Sequence, residues 1–445
     1  MPNPATRTVP MSRQLHLNLN IYGAGAHAAA WLWPRSDPFA LMKPDYFIEL
    51  AKIAERGTFD AVFFSDRAGF PEKSIYRPFP SIEPTILLAT IAAHTKYIGL
   101  LATASSSYNE PYNIARRYAS LDLASNGRAG VNIVTSADSE AAQNFGLNAP
   151  PDHAERYRRA DEFAVVLKAL WASWRPDGVI ADQSSGRYFD LDYIRPIDHH
   201  GEFFSVRGPI NVPPGPQGRP VIVQAGGSPA GRDLAARHAD AVFSQALSLD
   251  EALEYAGDLR RRAEGHGRKP ADILVFPGVV TVIGDTEQAA LQRAEALADR
   301  VPIEQGLNYL TDLLRTDAHA FDLDKPLPET ICVPENGITT FVETLIRRSR
   351  HEGLTVRQLI RAQNGGGSNH KTLVGTPEQI AAHMLEWFEA GAADGFNLMA
   401  DVLPSGLETF VDEVVPLLRR AGVFRKQYEG ATLRENLGLS YPSLS

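Results

Sequence analysis

A single cysteine, Cys332, stands among 445 residues, so no disulfide can close within the chain. That scarcity fits a reducing compartment, and a cytoplasmic location is the expectation. Cys332 lies in a proline-rich stretch, PETICVPENG, with no local partner to activate it, and reads as an ordinary thiol. No run of about 18 apolar residues occurs, which leaves no candidate for a helix across a membrane. The opening residues MPNPATRTVPMSRQ lack the apolar segment of a secretory signal. No long basic run occurs either. With 44 basic against 53 acidic residues the formal charge is −9, which argues against nucleic acid or an anionic membrane as partner. Metal-binding spacing is missing too. His199 and His200 are adjacent, and no HExxH or CxxC accompanies them, so no metal is expected. A GxSxG elbow and a phosphate-binding P-loop are likewise absent.

What is present is an ordinary globular composition, 44% apolar and 22% charged, laid out as alternating strand and helix patterns. Strand-like segments cover residues 15–22, 60–64, 98–103, 129–134, 221–224, 241–244, 273–276 with 279–283, and 396–399. Between and after them, helical periodicity covers 44–56, 84–94, 111–125, 156–174, 230–238, 249–266, a segment from 287, 377–390 and 407–421. Repeated strand–helix order implies a parallel sheet with right-handed crossovers. Eight strand starts, near residues 15, 60, 98, 129, 221, 241, 273 and 395, predict an α/β chain folded as a (β/α)8 TIM barrel. An open doubly wound sheet is the second reading. The barrel is expected to be a single domain over 1–445, with insertions at about 176–218 and 301–371. Within the second insertion NGGGSN, residues 364–369, reads equally as a hinge or a surface loop.

The motifs fall where strands end. Gly23-Ala-Gly25-Ala-His27-Ala28 imitates a dinucleotide fingerprint, but Pro34 and Pro38 forbid the long helix that such a site needs. A strand-to-loop corner is the better reading, with His27 and Trp31 turned toward the barrel mouth. In QAGGSPAGRDLAARHAD a strand runs into Gly226-Gly227-Ser228-Pro229 and a helix. Small residues at a helix start let an anion approach unpaired N–H groups, although Ser228 would equally make a plain N-cap. The stretch NGRAGVNIVTSADSEAAQNFG sets Asn132 late in a strand and then a polar loop. HAERYRRADEF next opens a helix with His153, Arg156 and Tyr157, donors suited to a phosphate. Asp66 follows Phe63-Phe64-Ser65, and Thr103 begins a hydroxyl-rich run. Each could be a capping or turn residue alone; together they mark one rim.

These residues resemble the bacterial-luciferase-like flavin monooxygenases, and among them the nitrilotriacetate monooxygenase component A family with the EDTA, dibenzothiophene sulfone and dimethyl sulfide enzymes. The carriers are AERGTFDAVFFSD, LLATASSSYNEPYNIARRYASLD, NGRAGVNIVTS, NFG, HAERYRRADEF, FFSVRGPINVP, GRPVIVQAGGSPAGRDLAARHADAVF and VGTPEQIAAHMLEWFEAGAADGFNL, within residues 14–425. The resemblance implies a barrel that takes reduced FMN in trans from an NAD(P)H:FMN reductase. With O2 it would oxygenate a small organic substrate, cleaving a C–S or C–N bond. Asp66, Thr103 and Asn132 would lie by the flavin ring. His153 and Tyr157 would meet the phosphate end, and Gly227 and Ser228 the phosphate itself, after the fifth strand. His27 is the candidate proton donor or oxygen-intermediate stabiliser, and Trp31, Phe64 and Tyr108 are candidate walls. Two positions depart from the pattern. Val131 replaces an aromatic and would open the pocket beside the flavin, and Gly227 replaces a hydroxyl residue or alanine. A homodimer or homotetramer is implied. A deazaflavin-dependent oxidoreductase and a flavin-binding protein without turnover are the alternatives.

Overall fold

The computed structural model describes residues 13–70, 75–79, 82–333, 339–362 and 370–442. Eight parallel strands close on themselves: β1 His16–Asn20, β2 Ala61–Phe64, β3 Gly99–Ser105, β4 Ala129–Val134, β5 Val221–Gln224, β6 Ala241–Ser244, β7 Leu274–Ile283 and β8 Gly395–Ala400. Each pairs with its sequence neighbour, β8 pairs back to β1, and β6 to β7 completes the ring. The eight expected strand starts are these eight strands. The intervening helices include α1 Pro44–Arg56, α2 Pro84–Ala92, α3 Pro111–Ala124, α4 His153–Trp171, α5 Pro229–His238, α6 Leu249–Gly265, α7 Glu287–Ala298 and α8 Pro377–Glu389.

The strand sequences explain the two layers of the core. Along HLNLN in β1, Leu17 and Leu19 join the large cluster packed under the helices, while His16, Asn18 and Asn20 take the alternate, inward face. In β2 the same alternation sends Val62 and Phe64 outward and Ala61 and Phe63 inward. Val131 and Ile133 of β4 are outward too, so Gly130 and Asn132 face the interior.

The N-terminal ends of the strands are closed by buried charge. Asp60 is fully buried between His16 Nδ1, at 3.0 Å, and the Arg425 guanidinium. Asp240 is held by Arg219 at 2.8 Å and Arg434 at 3.2 Å. Arg128 spends its guanidinium on Thr95 Oγ1 and the carbonyls of Ala92, Thr95, Ile98 and Ser125.

Several boundaries differ from the sequence expectation. The expected segments 273–276 and 279–283 form one strand, Leu274–Ile283, because β7 changes partner at the proline: β6 ends opposite Pro277. The strand Lys371–Gly375 then takes over opposite Val279 through Ile283, so no N–H is demanded of Pro277 by a continuing partner. The sequence gives little sign of that extra strand, since KTLVG is short and follows a glycine run. The loop after β4 holds a short helix, Ser139–Asn144. The helix after β8, from Ser405 to Arg420, passes through a π turn at Phe410–Val414. The first insertion carries two small antiparallel hairpins, Val179–Asp182 with Arg187–Phe189 and His199–His200 with Ser205–Val206. The second is helical, with Ile303–Leu314, Thr339–Glu352 and Val356–Ala362 around its own apolar cluster of Leu310, Leu345, Val356 and Leu359. Residues 364–369 lie outside the described residues.

Candidate active site

The C-terminal ends of the strands form a mouth, and its inner lining is unusually polar for a barrel core. Thr103 and Asn132, register partners on β3 and β4, meet through Asn132 Nδ2 donating to Thr103 Oγ1 at 3.0 Å. The Asn132 Oδ1 atom is buried without a partner, as are Asn20 Oδ1 on β1 and Gln224 Oε1 on β5. A buried carbonyl oxygen with no donor costs about 1–3 kcal/mol. Three of them at one end of the barrel are acceptors waiting for N–H or O–H groups of a ligand.

The next wall descends from β5. Ser228 caps α5: its Oγ accepts from Gly231 N at 3.1 Å and donates to the Tyr157 hydroxyl at 3.3 Å. Tyr157 and His153, one turn apart on α4, hold their rings 4.6 Å apart. The four residues His153, Tyr157, Gly227 and Ser228 are therefore brought together by two helix starts. Asp152 caps α4 by accepting from Glu155 N at 2.7 Å. Beside Gly227 a Cβ would meet only open space, so that glycine leaves room next to the helix start. The carbonyls of Gly226 and Gly227 are taken by Tyr255 Oη at 2.7 Å and Arg232 Nε at 3.1 Å. Arg232 was not singled out in the sequence. Its guanidinium sits over the Tyr255 ring and is neutralised by Glu254 and Asp258, so it fixes the loop rather than offering free charge. Arg156, expected as a phosphate donor, instead bonds the carbonyls of Thr135 and Pro151 and ties down the loop after β4.

Asp66 lies on the rim after β2. Partial desolvation, then the neighbouring Glu83, raise its carboxyl above the ordinary carboxylate range. Arg67 next to it pairs with Asp138 and Glu140, both at 3.1 Å, and locks this rim to the short helix Ser139–Asn144. Tyr108 stacks on Phe145 at 4.9 Å against that helix.

The Gly23–Ala28 corner folds as a loop, and its glycines have a packing reason. Ala26 N donates to Ala400 O at 2.8 Å and His27 N to Asp401 O at 3.2 Å, so the loop is laced to the chain leaving β8. Gly25, at φ +148°, has no room for a Cβ against the Asp401 carbonyl. His27 is buried, and its Nδ1 accepts from Ala29 N at 3.1 Å. Burial, helped by Arg77, lowers its pKa to about 4. At neutral pH it is therefore an uncharged imidazole with its proton on Nε2, a hydrogen-bond donor rather than a cationic acid. Asp401 itself is fully buried and held by Arg293 of α7 at 2.5 and 3.1 Å.

One expected wall and one expected opening are corrected. Phe64 faces the helices and packs edge-on to Phe47 at 5.7 Å; its inward neighbour Phe63 is the one that lines the barrel. Val131 faces outward as well, so it opens no space beside a ligand. In both cases side-chain parity decides: the all-apolar AVFF of β2 leaves it open in the sequence, whereas in β4 the inward Asn132 turns its neighbour Val131 outward. Trp31 donates to Tyr76 O at 3.1 Å and packs in the cluster of Ala30, Leu297 and Val402.

The chain that builds this mouth is similar over nearly its whole length to known proteins. The model of the luciferase-like monooxygenase family matches residues 23–394. N-acetyl-S-(2-succino)cysteine monooxygenase of Bacillus subtilis is 42% identical over 97% of this chain and 98% of its own length. Nitrilotriacetate monooxygenase component A of Aminobacter aminovorans is 41% identical over 98% of each. The solved structure of EDTA monooxygenase from Chelativorans sp. BNC1 superposes with a TM-score of 0.79 at 34% identity, covering 97% of this chain and all of that one.

Proposed function

The chain belongs to the luciferase-like monooxygenase family and is a flavin-dependent monooxygenase of the two-component type, and from that premise we propose that its flavin is FMN, supplied reduced by an NAD(P)H:FMN reductase. When bound, reduced flavin supplies the electrons that activate O2 and carry one oxygen atom to the substrate, the other leaving as water. The protein's share is grip, orientation and a dry pocket.

The observation that carries the reading is the donor-starved, acceptor-rich mouth beside a helix start. Asn132 and Thr103 would take the N–H edge of the ring, with Asp66 at the rim. His153, Tyr157, Gly227 and Ser228 would hold the phosphate: the helix start contributes partial positive charge, and the hydroxyls of Ser228 and Tyr157 contribute donors. His27 would present Nε2–H to the oxygen chemistry. The substrate is a small organic molecule cleaved at a C–S or C–N bond, the bond types in the names of the succinocysteine and nitrilotriacetate relatives. We read the chain as one domain, acting in the cytoplasm as a homodimer or homotetramer.

Calorimetry with oxidised and with anaerobically reduced FMN tests the cofactor. Ser228→Ala is expected to weaken FMN about tenfold, roughly 1.4 kcal/mol, while riboflavin, which lacks the phosphate, binds both proteins alike. An unchanged FMN affinity rejects the phosphate assignment. A reductase-coupled screen over thioethers, sulfones and aminopolycarboxylates then selects the substrate.

A further inference from the structure

The strand Lys371–Gly375 extends one wall of the barrel upward. β6 stops opposite Pro277, and this strand continues the pairing along β7 from Val279 to Ile283, anchored by Lys371 Nζ on the Leu247 carbonyl at 2.8 Å. The chain that forms it is returning from the 301–371 insertion. Its first residue before the strand is His370. That imidazole leans over Gly278 of β7: a Cβ at Gly278 would run into His370 Nδ1 and the Phe243 ring. His370 stacks on Phe243 with centroids 4.8 Å apart and planes at 14°. Phe243 in turn meets the inward Phe63 edge-on at 5.8 Å and packs with Ala26, Val280 and Met399. Three rings thus run across the barrel from β2 through β6 to the middle of β7 at Gly278.

The position of this line matters. In the eight-strand ring β7 is four strands from β3 in either direction, so His370, against β7, stands on the side of the barrel opposite the strand that carries Thr103. Val280 and Met399, beside the stack, are register partners on β7 and β8. Burial also pushes the His370 pKa down to about 4, so the ring is neutral at working pH. A glycine on β7 is what admits the ring: the insertion delivers a flat, uncharged, hydrogen-bonding group into a space cleared for it.

We propose that His370 is a residue of the flavin-ring pocket, closing it on the side across from Thr103, and that the 301–371 insertion therefore contributes to the site itself. The inference rests on the flavin reading above. Substrate specificity follows from it, since whatever lies between the flavin ring and this wall must fit a neutral aromatic surface.

The test uses the full-length protein and oxidised FMN, read by calorimetry and by the visible circular dichroism of the bound flavin, with no turnover needed. His370→Ala removes the ring, His370→Phe keeps the stack without its nitrogens, and Gly278→Ala displaces it; far-ultraviolet dichroism checks folding. His370→Ala and Gly278→Ala are expected to raise the FMN Kd at least fivefold and alter the visible dichroism. His370→Phe should keep the affinity closer to wild type while still shifting the flavin spectrum. If wild-type protein takes up FMN normally and folded His370→Ala and His370→Phe match it in Kd and spectrum, the assignment of His370 is wrong. If wild-type protein takes up no FMN, the flavin reading falls and this inference falls with it.

Discussion

Single buried residues set the pH behaviour of this molecule, and they do so in opposite directions. Asp122 is buried against Gln217 Nε2 at 2.5 Å and Ala129 N at 3.1 Å, while its second oxygen has no partner. Burial raises its pKa to about 6. The unfolded carboxyl ionises near pH 4. Between those values the unfolded chain gains more from losing the proton, so stability falls as pH rises from 4 to 6, and the full penalty persists above. Asp122→Asn keeps the accepting oxygen and abolishes the charge. It should raise stability by about 1–2 kcal/mol at pH 8, with the gain vanishing near pH 4, as read by urea unfolding at the two pH values. His27 illustrates the limit of sequence at this scale. The residue was visible as a candidate, but its neutral state follows from burial and from a bond two residues along its own loop. His370 gave no signal at all, because its meaning depends on a glycine 92 positions earlier.

Elements were legible where punctuation and periodicity agreed. β4, β5 and β6 have the expected bounds, and α1 runs from its expected Pro44 to Arg56. In the sequence β7 divides in two because Pro277-Gly278 looks like a stop, while in the sheet it marks only a change of neighbour. The 24–27 loop shows the converse: a glycine pattern that imitates a nucleotide site serves close backbone lacing to residues 400–403. Gly25→Ala should therefore cost about 2 kcal/mol or more in thermal or denaturant unfolding, since both its φ and the Asp401 carbonyl forbid a side chain. A neutral outcome would show that the lacing is dispensable.

At the scale of the whole molecule the barrel separates its tasks between ends. Charged, ion-paired clusters sit at the N-terminal ends of the strands, and the unsatisfied amide oxygens of Asn20, Asn132 and Gln224 sit toward the mouth. Asp60, with burial opposed by Arg425 and His16, has its pKa held below the ordinary carboxylate value, and Asp240 is held far below it by Arg219 and Arg434. For such groups the stabilisation is complete above the unfolded value near pH 4 and is lost as pH falls through the folded value. Acid unfolding should therefore begin below about pH 4. Arg425→Leu, which strands the buried Asp60, should lower stability by about 3–5 kcal/mol at pH 7 and by much less at pH 3, measured as the shift in the urea midpoint.

By itself the sequence determined the alternation of strands and helices and the eight barrel strands, and it placed Asp66, Thr103, Asn132, His153, Tyr157 and Ser228 near strand ends and helix starts, because periodicity, proline and glycine punctuation and strand ends are local properties. Only the tertiary structure decided which face the all-apolar β2 turns inward, which exchanged Phe64 for Phe63; Val131 leaves the mouth because its neighbour Asn132 faces in. It alone decided which acceptors stay unsatisfied and what the second insertion brings back to the barrel, since both depend on strands closing a ring between residues hundreds of positions apart.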